Sequence, residues 1–420
     1  MRLPSRPMRF ATRLSPAGTL ALLAALVVPR PALTAPELVY GFDIEVTMSA
    51  DRDLAEVELR VRQDAALLNE VRWRPGPAQG FRGDGVIETL EDAVLWRVPA
   101  TGGRLSYEVP IRHRRNSKGH DAWIGPRWAI FRGDDLVPSA RTLAETGARS
   151  RTRLRFELPD DWSSITAYPR TDDGWYRVDR PERRFDRPVG WMAVGRLGVR
   201  RATISGVDVA VAGPTGIGLR RMDTLAFLNW NLPALTAVFE DFPGELLVLS
   251  AGKPMWRGGL SGPGSLFLHQ DRPLISENGT STLMHELLHL AQGYRAADDG
   301  DWIVEGLAEF YSIEFMRRSG TLPPEQATRA FERLREWGHD VDSLRTDRST
   351  GAVTARAATL FADLDREVRR ATAGEASLDD VARGLTAHGG PVDLAALRQV
   401  AEQVTGAPSS VLADDRVPGY

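Results

Sequence analysis

The first half of the chain alternates apolar and polar residues with a period of two. Near residues 42–48, 57–61, 154–158 and 207–211, every second position is Val, Leu, Ile, Phe or Met, and the positions between are mostly charged. This spacing places the apolar side chains on one face of a strand, and turn-forming residues separate the runs. Residues 36–205 are therefore predicted to form a β-rich, sandwich-like domain.

The spacing of apolar residues changes after residue 205. Residues 222–240 can form a helix, and the short apolar runs at 246–249 and 265–269 are predicted to be buried strands. The glycine-rich stretch 258–265 between those runs is predicted to be a loop. It lacks the Lys-Ser/Thr pair of a phosphate-binding loop, so no nucleotide site is expected there.

Apolar residues beyond residue 320 recur every three or four positions, which predicts helices that pack by one face. The stripes include Ala327, Phe331, Leu334; Leu360, Phe361, Leu364, Val368; Leu378, Val381, Leu385; and Leu397, Val400, Val404. The fold is therefore predicted to be a multidomain α+β chain. Its domains are the β-rich part at 36–205, a middle domain at 206–320 and a helical domain at 321–420.

The N-terminus has the pattern of a secretory signal. Four arginines within the first 13 residues precede an apolar stretch at 20–28, and small residues follow at 32–35. The stretch is short for a membrane span and has a basic flank, so residues 1–35 are predicted to be a cleaved signal peptide. The alternative is an uncleaved anchor. The mature protein is expected to be periplasmic or secreted, with no further membrane segment.

Composition narrows the possible chemistry. The 420-residue chain has a net charge of −3, which gives no electrostatic argument for nucleic acid or an anionic membrane as a partner. It has no cysteine, so any metal must be bound by His and carboxylate side chains. Eight of the 11 tryptophans precede residue 231. They are interpreted as core residues, with a glycan-binding β domain as the alternative.

A zinc-binding pattern begins at His285. His285 and His289 are four residues apart in an apolar run, so a helix places both imidazoles on one face. Glu286 is adjacent to a ligand position and is predicted to accept the proton of the attacking water. The helix is expected to begin near Thr280 or Ser281 and to end at Gly293.

A second helix is predicted to carry the third ligand. It is expected to begin with Asp301 as its cap and to end at Gly320. Glu305 in its first turn completes a His₂Glu site for one Zn²⁺ per chain, with an open fourth position. Glu309, one turn later, could bind a ligand imidazole through a hydrogen bond. Gly306 suggests close approach of the two helices. The alternative is a pair of surface histidines, but the leucines around them indicate a buried helix.

These motifs resemble those of the gluzincin metallopeptidases. The resemblance is closest to the glycyl aminopeptidase family, with the alanyl/leucyl aminopeptidase family next. The segment 305–311, Glu-Gly-Leu-Ala-Glu-Phe-Tyr, resembles their third-ligand motif, and segments 73–76 and 364–380 resemble parts of the glycyl family. The resemblance implies a β domain, a thermolysin-like zinc domain and a helical domain, together with hydrolysis of peptide or protein substrates.

The chain departs from those families at two functional positions. Their oxyanion-stabilising tyrosine corresponds to Thr354, and no tyrosine occurs between Tyr311 and Tyr420. His339, His388 and Arg356 are candidates to replace it. The acidic residue of their G-G-x-E motif, which meets the free amine of a substrate, corresponds to Ser261. The hypotheses are therefore an active secreted zinc peptidase without strict aminopeptidase specificity, or an inactive zinc-bearing homologue that binds peptides or a partner.

Overall fold

The computed structural model describes residues 38–178 and 185–420, so the predicted signal peptide lies outside the described residues. The β-rich part contains three sheets. The first has the strand order β14-β12-β1-β2-β7-β4, the second β11-β3-β6-β5 and the third β13-β15-β10-β9-β8. Their bounds are β1 Val39–Thr47, β2 Leu54–Arg62, β3 Leu68–Trp73, β4 Gln79–Gly83, β5 Val86–Thr89, β6 Val94–Arg97, β7 Gly103–Pro110, β8 His113–Asn116, β9 Gly119–Ile124, β10 Trp128–Arg132, β11 Ala140–Ala144, β12 Arg149–Glu157, β13 Ser163–Ile165, β14 Tyr176–Arg177 and β15 Trp191–Gly195, with a short helix α1 at Gly133–Leu136.

The period-two pattern in this part corresponds to strands with one buried face. Phe42, Ile44 and Val46 of β1 are fully buried, and β1 pairs with β2 antiparallel and with β12 parallel. Apolar residues from all three sheets share one core. Tryptophan burial supports the packing interpretation over a glycan platform, because five tryptophans of this part are at most 8% exposed: Trp73, Trp96, Trp162, Trp175 and Trp191.

A fourth sheet leads to the candidate site. Its strand order is β16-β17-β18-β20-β19, with bounds β16 Leu197–Ile204, β17 Val207–Pro214, β18 Glu245–Ala251, β19 Gly259–Gly262 and β20 Ser265–His269. Strands β17, β18 and β20 are parallel, and β19 is antiparallel to β20. Both faces of this sheet are covered: Val209 packs towards the helices and Ala210 towards the β-rich part. That explains the continuous apolar runs.

The prediction of a loop at 258–265 was wrong. The stretch predicted to be a loop contains β19, and β20 is an interior strand between β18 and β19. The exposed edge available to a substrate is therefore β19. Its glycines concealed the strand because they lack the side chains that give strands their pattern, and Gly259 is required here: a Cβ would lie 2.6 Å from Cγ of Glu286.

The remaining helices lie beyond residue 220, and those after residue 320 bury the predicted apolar faces. They are α2 Arg221–Thr236, α3 Thr282–Gln292, α4 Asp301–Ser319, α5 Pro324–Trp337, α6 Ala352–Ala371, α7 Leu378–His388 and α8 Leu394–Thr405. A single core runs from Ile204 to Val417 and joins α2 and the site helices to α5–α8. The architecture is thus mixed α+β, as predicted, while the boundaries at 205 and 320 stay predictions. None of the helices in the described part has both the length and the hydropathy needed to cross a bilayer.

Candidate metal centre

Helix α3 carries the two histidines and has both of its predicted ends. The Ser281 hydroxyl accepts a hydrogen bond from the Met284 N–H at 3.3 Å, which satisfies one free donor of the first turn. Gly293 ends the helix with φ = 69°, a left-handed conformation that favours glycine. Leu283, Leu287 and Leu288 are fully buried, so the core fixes the face on which the histidines lie.

Helix α4 begins at Asp301 and ends at Gly320 as predicted, but Asp301 is not its cap. Gly300 is the residue before the first turn. The Asp301 Oδ2 instead accepts a hydrogen bond from the Ser349 N–H at 2.6 Å. The carboxylate therefore ties the start of α4 to the segment that leads into α6, and it still lies favourably at the positive end of the helix dipole.

Gly306 permits close helix packing, but its partner is not the histidine helix. A Cβ at Gly306 would lie 2.6 Å from Cβ of Ala357 on α6 and 3.0 Å from a ring carbon of Phe361. The helices α3 and α4 do approach each other at the ligands, but the three atoms nearest to a Cβ at Gly306 belong to α6, so the reason predicted for this glycine was wrong. The glycine sets the distance between α4 and α6, and α6 contributes residues to the opposite side of the site.

The predicted ligands converge. His285 Nε2 lies 3.2 Å from His289 Nε2 and 3.1 Å from Glu305 Oε2, and His289 Nε2 lies 3.5 Å from Glu305 Oε1. Each residue offers one ligand atom, and these atoms lie within 4.8 Å of one another. In a tetrahedral site with bonds of about 2.0–2.1 Å, neighbouring donors lie roughly 3.4 Å apart. The observed spacing and the N/N/O donor set therefore fit Zn²⁺.

Glu309 occupies the predicted position behind a ligand. Its Oε2 lies 3.0 Å from Nδ1 of His285, where it accepts the ring N–H. With the proton on Nδ1, the lone pair of Nε2 points towards His289 and Glu305. This is the arrangement by which an outer carboxylate fixes the tautomer and the ring orientation of a metal-binding histidine.

The electrostatics of the three ligands indicate a site for a cation. Burial disfavours charge on His285, but hydrogen bonds to Glu305 and Glu309 raise its pKa well above the ordinary value. Burial and the neighbouring His285 lower the pKa of His289 to about 4. Burial opposes ionisation of Glu305, yet the hydrogen bond with His285 holds its pKa below the usual value. Glu305 and Glu309 thus stabilise one positive charge, which lies on His285. A bound metal ion would take the place of that charge.

Glu286 lies beside the ligands and is 9% exposed. Burial raises the pKa of its carboxyl. The backbone and side chain of Ser261 on β19 form hydrogen bonds with this carboxyl, and these lower the pKa in part. Strand β19 therefore fixes the position of Glu286. Ser261 stands where the resemblance places an amine-binding acid, and its polar groups are directed to Glu286 instead.

One cavity of about 360 Å³ lies between α3, α4, β19 and the start of α6, and it is lined by His285, Glu286, Glu305 and Glu309. Thr354 lines it, as expected of the position aligned with the oxyanion tyrosine, whereas His339, His388 and Arg356 do not. The sequence prediction missed three further lining residues: Trp256, Arg272 and Trp337. Trp337 is 61% exposed although it ends an amphipathic helix, a mismatch that offered a weak signal.

A His-Glu-x-x-His helix with a glutamate on a second helix is the ligand arrangement found in zinc metallopeptidases. No family model matches the chain, and no curated protein matches it. Solved structures do match. An aminopeptidase N family protein from Idiomarina loihiensis superimposes with a TM-score of 0.64 at 14% identity, over 84% of this chain and 70% of that chain.

Two further structures agree. An M1 zinc metallopeptidase from Deinococcus radiodurans gives a TM-score of 0.52 at 16% identity, over 88% of this chain and 90% of that one. Leukotriene A4 hydrolase from Saccharomyces cerevisiae gives 0.53 at 15% identity, over 91% and 68%. The chain therefore has the fold of gluzincin metallopeptidases related to the alanyl aminopeptidases. None of these three structures is described as a glycyl aminopeptidase, so a closer relation to that family stays a prediction.

Proposed function

We propose that the chain is a zinc-dependent metallopeptidase that binds one Zn²⁺ through His285, His289 and Glu305. The observation that carries the proposal is the convergence of these three side chains beside the buried Glu286. A site that only stabilised the fold would need the ligands but not this carboxylate, because Glu286 is not a ligand. The fold of the M1 zinc metallopeptidases supports the same interpretation.

The residues of the chain divide the chemistry between them. A bound Zn²⁺ supplies Lewis acidity, which polarises a peptide carbonyl and lowers the pKa of water. Glu286 takes a proton from the attacking water and returns it to the amine nitrogen of the leaving group. Ser261 holds the Glu286 carboxylate in position from β19. Glu309 keeps the proton of His285 on Nδ1, so that Nε2 is free to coordinate.

The proposed substrate is an extended peptide or a protein segment. Strand β19 is the edge of its sheet and lies against α3, so a substrate strand paired with it would cross the cavity above Glu286. Residue 261 is a serine, so this position offers no carboxylate to the free amine of a substrate. The proposal is therefore a peptidase whose specificity does not depend on a free N-terminal amine.

We also propose that the protein is exported and acts in the periplasm or outside the cell, on the basis of the N-terminal pattern at residues 1–35. N-terminal sequencing of the protein recovered from the periplasm or the medium tests this. We expect a new terminus near residue 36, and an intact N-terminus on a membrane-bound protein would favour the anchor instead.

The second candidate function is an inactive homologue that binds zinc and peptides. One observation favours it: Thr354 lines the cavity where the resemblance places a tyrosine that stabilises the oxyanion. Loss of one such donor costs about 3 kcal/mol of transition-state stabilisation in comparable sites. The protein would then bind peptides along β19 without cleaving them.

One experiment separates the two candidates. Bound zinc is measured in the purified mature protein, and cleavage of a peptide library is compared between the wild type and Glu286→Gln. The control is Glu277→Gln, which changes an exposed carboxylate shortly before α3. We expect one zinc per chain in all three proteins and cleavage that Glu286→Gln abolishes. Zinc without cleavage in any of them would support the binding protein, and no zinc would exclude both functions.

A further inference from the structure

An arginine without an acidic partner lines the metal cavity. Arg272 follows β20 and borders the same space as Glu286, Glu305 and Glu309. Its Nη2 donates to the backbone oxygen of Arg257 at 3.0 Å, and its Nε is buried without an acceptor. Among residues 38–178 and 185–420, no carboxylate lies within ion-pair distance of this guanidinium. Its remaining Nη hydrogens are therefore free to bind a ligand.

Arg221 and Arg356 are also half-buried without an acidic partner, but most other half-buried arginines of the described residues are paired. Arg318, for example, forms ion pairs with Glu314 and Asp379 at 2.8 Å, and Arg153 with Asp43 at 2.7 Å. A half-buried charge without a partner lowers stability, and a carboxylate that matches two N–H groups is the partner best suited to guanidinium. Of these unpaired arginines, Arg272 is the one that lines the metal cavity, where a substrate would supply the missing anion.

Further positive charges lie on segments that adjoin lining residues of the cavity. The Arg115 guanidinium lies 4.5 Å from the ring centre of Trp256, which lines the cavity, and so brings the β8–β9 hairpin to its edge. That hairpin also carries Arg114 and Lys118, for which the described residues provide no ion pair. Arg348 adjoins the lining residues 349–351 and acts electrostatically on Glu305. A group of cations at a cleft attracts anionic ligands.

The acidic groups near the cavity neutralise only part of this positive charge. Glu286, Glu305 and Glu309 are committed to the metal centre. Asp121 lies between Arg115, at 3.8 Å, and His113, and Asp271 lies 3.8 Å from His269 although it is adjacent to Arg272. With Ser261 in place of an acid, the cavity is better suited to bind a carboxylate than an amine.

We propose that the cavity binds peptides that present a carboxylate to Arg272, either from an acidic side chain or from a free C-terminus. This inference rests on the proposed peptidase function, because it assigns the substrate class of the same site. The guanidinium anchors the anionic end of the peptide, while Trp337 and Leu334 provide an apolar surface beside it. The cations on the adjoining segments raise the rate at which such peptides arrive.

Three quenched fluorescent peptides test the proposal by activity. One is a neutral, amidated peptide that the library experiment shows to be cleaved, the second carries one glutamate, and the third has a free C-terminal carboxylate. We expect kcat/KM for at least one anionic peptide to exceed that of the neutral peptide by about tenfold or more. The peptide that gains identifies the source of the carboxylate.

Variants at Arg272 test whether this residue causes the preference for anionic peptides. Arg272→Gln is expected to bring the anionic-to-neutral ratio close to one, and Arg272→Lys to retain part of it, since lysine keeps the charge but lacks the planar fork. Arg200→Gln is the matched control, because Arg200 is an exposed arginine on β16, the other edge of the sheet. A wild-type ratio near one, or a preference that survives in Arg272→Gln, would overturn the proposal. If Arg272→Gln does not fold, Arg272→Lys and the wild-type ratio decide.

A binding measurement keeps this inference separate from the proposed function. The same peptide sequences, unlabelled, are titrated into zinc-loaded Glu286→Gln protein while the tryptophan fluorescence that includes Trp256 and Trp337 is recorded. Tighter binding of the anionic peptides by about tenfold, lost when Arg272→Gln is added, supports the inference even if the wild type cleaves nothing. Absence of cleavage then counts against the peptidase alone. Equal affinity for all three peptides counts against the carboxylate anchor alone.

Discussion

The metal cavity has two walls that differ in how fully their polar groups are paired. On the ligand wall, formed by α3 and α4, His285 contacts Glu305 and Glu309, and His289 contacts Glu305. On the facing wall, formed by β20 and its following loop, Trp256, the end of α5 and the start of α6, Arg272 lacks an acid and Trp337 is 61% exposed. Strand β19 links the walls through Ser261 and Glu286.

We interpret the ligand wall as the part that carries the chemistry and the facing wall as the part that determines which substrate binds. The ligand wall is a closed set of hydrogen-bonded groups on two packed helices, which is what fixed metal geometry requires. The facing wall retains unused hydrogen-bonding capacity and an exposed aromatic ring, which are features of a surface that binds another molecule. Both departures from the resembling families, Ser261 and Thr354, lie off the ligand wall. We therefore propose that the chain combines the ligand set of a zinc peptidase with a different substrate surface.

Removing a metal ligand from the ligand wall should have the largest effect. Glu305→Ala leaves two imidazoles, too few for a stable zinc site, and deletes a negative charge beside them. We expect bound zinc to fall from one per chain to nearly none and kcat/KM to fall by roughly 10³-fold or more. Metal analysis and peptide cleavage measure both effects, with Glu277→Ala as the control. Full zinc content in Glu305→Ala would show that another residue completes the site.

Adding a donor to the facing wall should have the next largest effect. Thr354→Tyr places a phenol in the cavity where the resemblance expects one, and a new oxyanion donor is expected to raise kcat by about tenfold. Zinc content should remain unchanged because Thr354 is not a ligand. Steady-state kinetics of Thr354→Tyr and Thr354→Phe separate the effect of the hydroxyl from that of the aromatic ring. Equal rates for these two variants would mean that position 354 does not face the reacting carbonyl.

The contact that holds the two walls together is tested by stability. Gly306→Ala improves helix propensity by about 1 kcal/mol, but its Cβ would lie 2.6 Å from Cβ of Ala357. Forcing α4 and α6 apart is expected to outweigh that gain and lower stability by about 2 kcal/mol. Calorimetry should show a lower Tm, partly restored when Ala357→Gly is added. A higher Tm for Gly306→Ala alone would indicate that α6 yields without cost.

The smallest effect concerns how α4 is anchored behind the ligand wall. Burial opposes ionisation of Glu314, but hydrogen bonds from Arg317 and Arg318 outweigh it and hold the pKa below the ordinary 4.5. A folded pKa below the unfolded one stabilises the protein above the unfolded pKa, and this stability is lost as the pH falls through the folded value. Glu314→Gln should therefore lower the free energy of unfolding by about 1.5 kcal/mol at pH 7.

The same variant should also flatten the pH dependence below about pH 5, because the titrating group is gone. Urea unfolding of the wild type, Glu314→Gln and Glu277→Gln between pH 7 and pH 3 measures both effects. If the wild type and Glu314→Gln lose stability in parallel on acidification, Glu314 is not the group responsible.

The ligand wall could be predicted from sequence because its geometry is local. His285 and His289 are one helical turn apart, and Glu305 and Glu309 are related in the same way on the next helix, so periodicity alone places each pair on one face. The leucines of α3 show which face is buried. Two histidines on a buried helix need partners, which indicated Glu305 on the next helix, and the resemblance then supported that pairing.

The facing wall could not be predicted in this way, since its members come from separate segments. Strand β19 was predicted to be a loop because glycines carry no strand pattern, and its edge position follows from strand order, which is not a local property. Arg272 and Trp337 are 65 residues apart and meet at the cavity through packing of α5 and the sheet. Nothing in their local sequence distinguishes them from ordinary surface residues.

The sequence by itself determined the donor set: two imidazoles, one coordinating carboxylate and one proton acceptor, at spacings that a helix converts into a metal site. Tertiary structure alone decided what surrounds that set. It joined Gly306 to α6, directed Ser261 to Glu286, and left Arg272 without an acid at the cavity. The reason is physical: helical periodicity relates residues three or four apart, whereas the partner of a charge depends on which distant segments the core brings together.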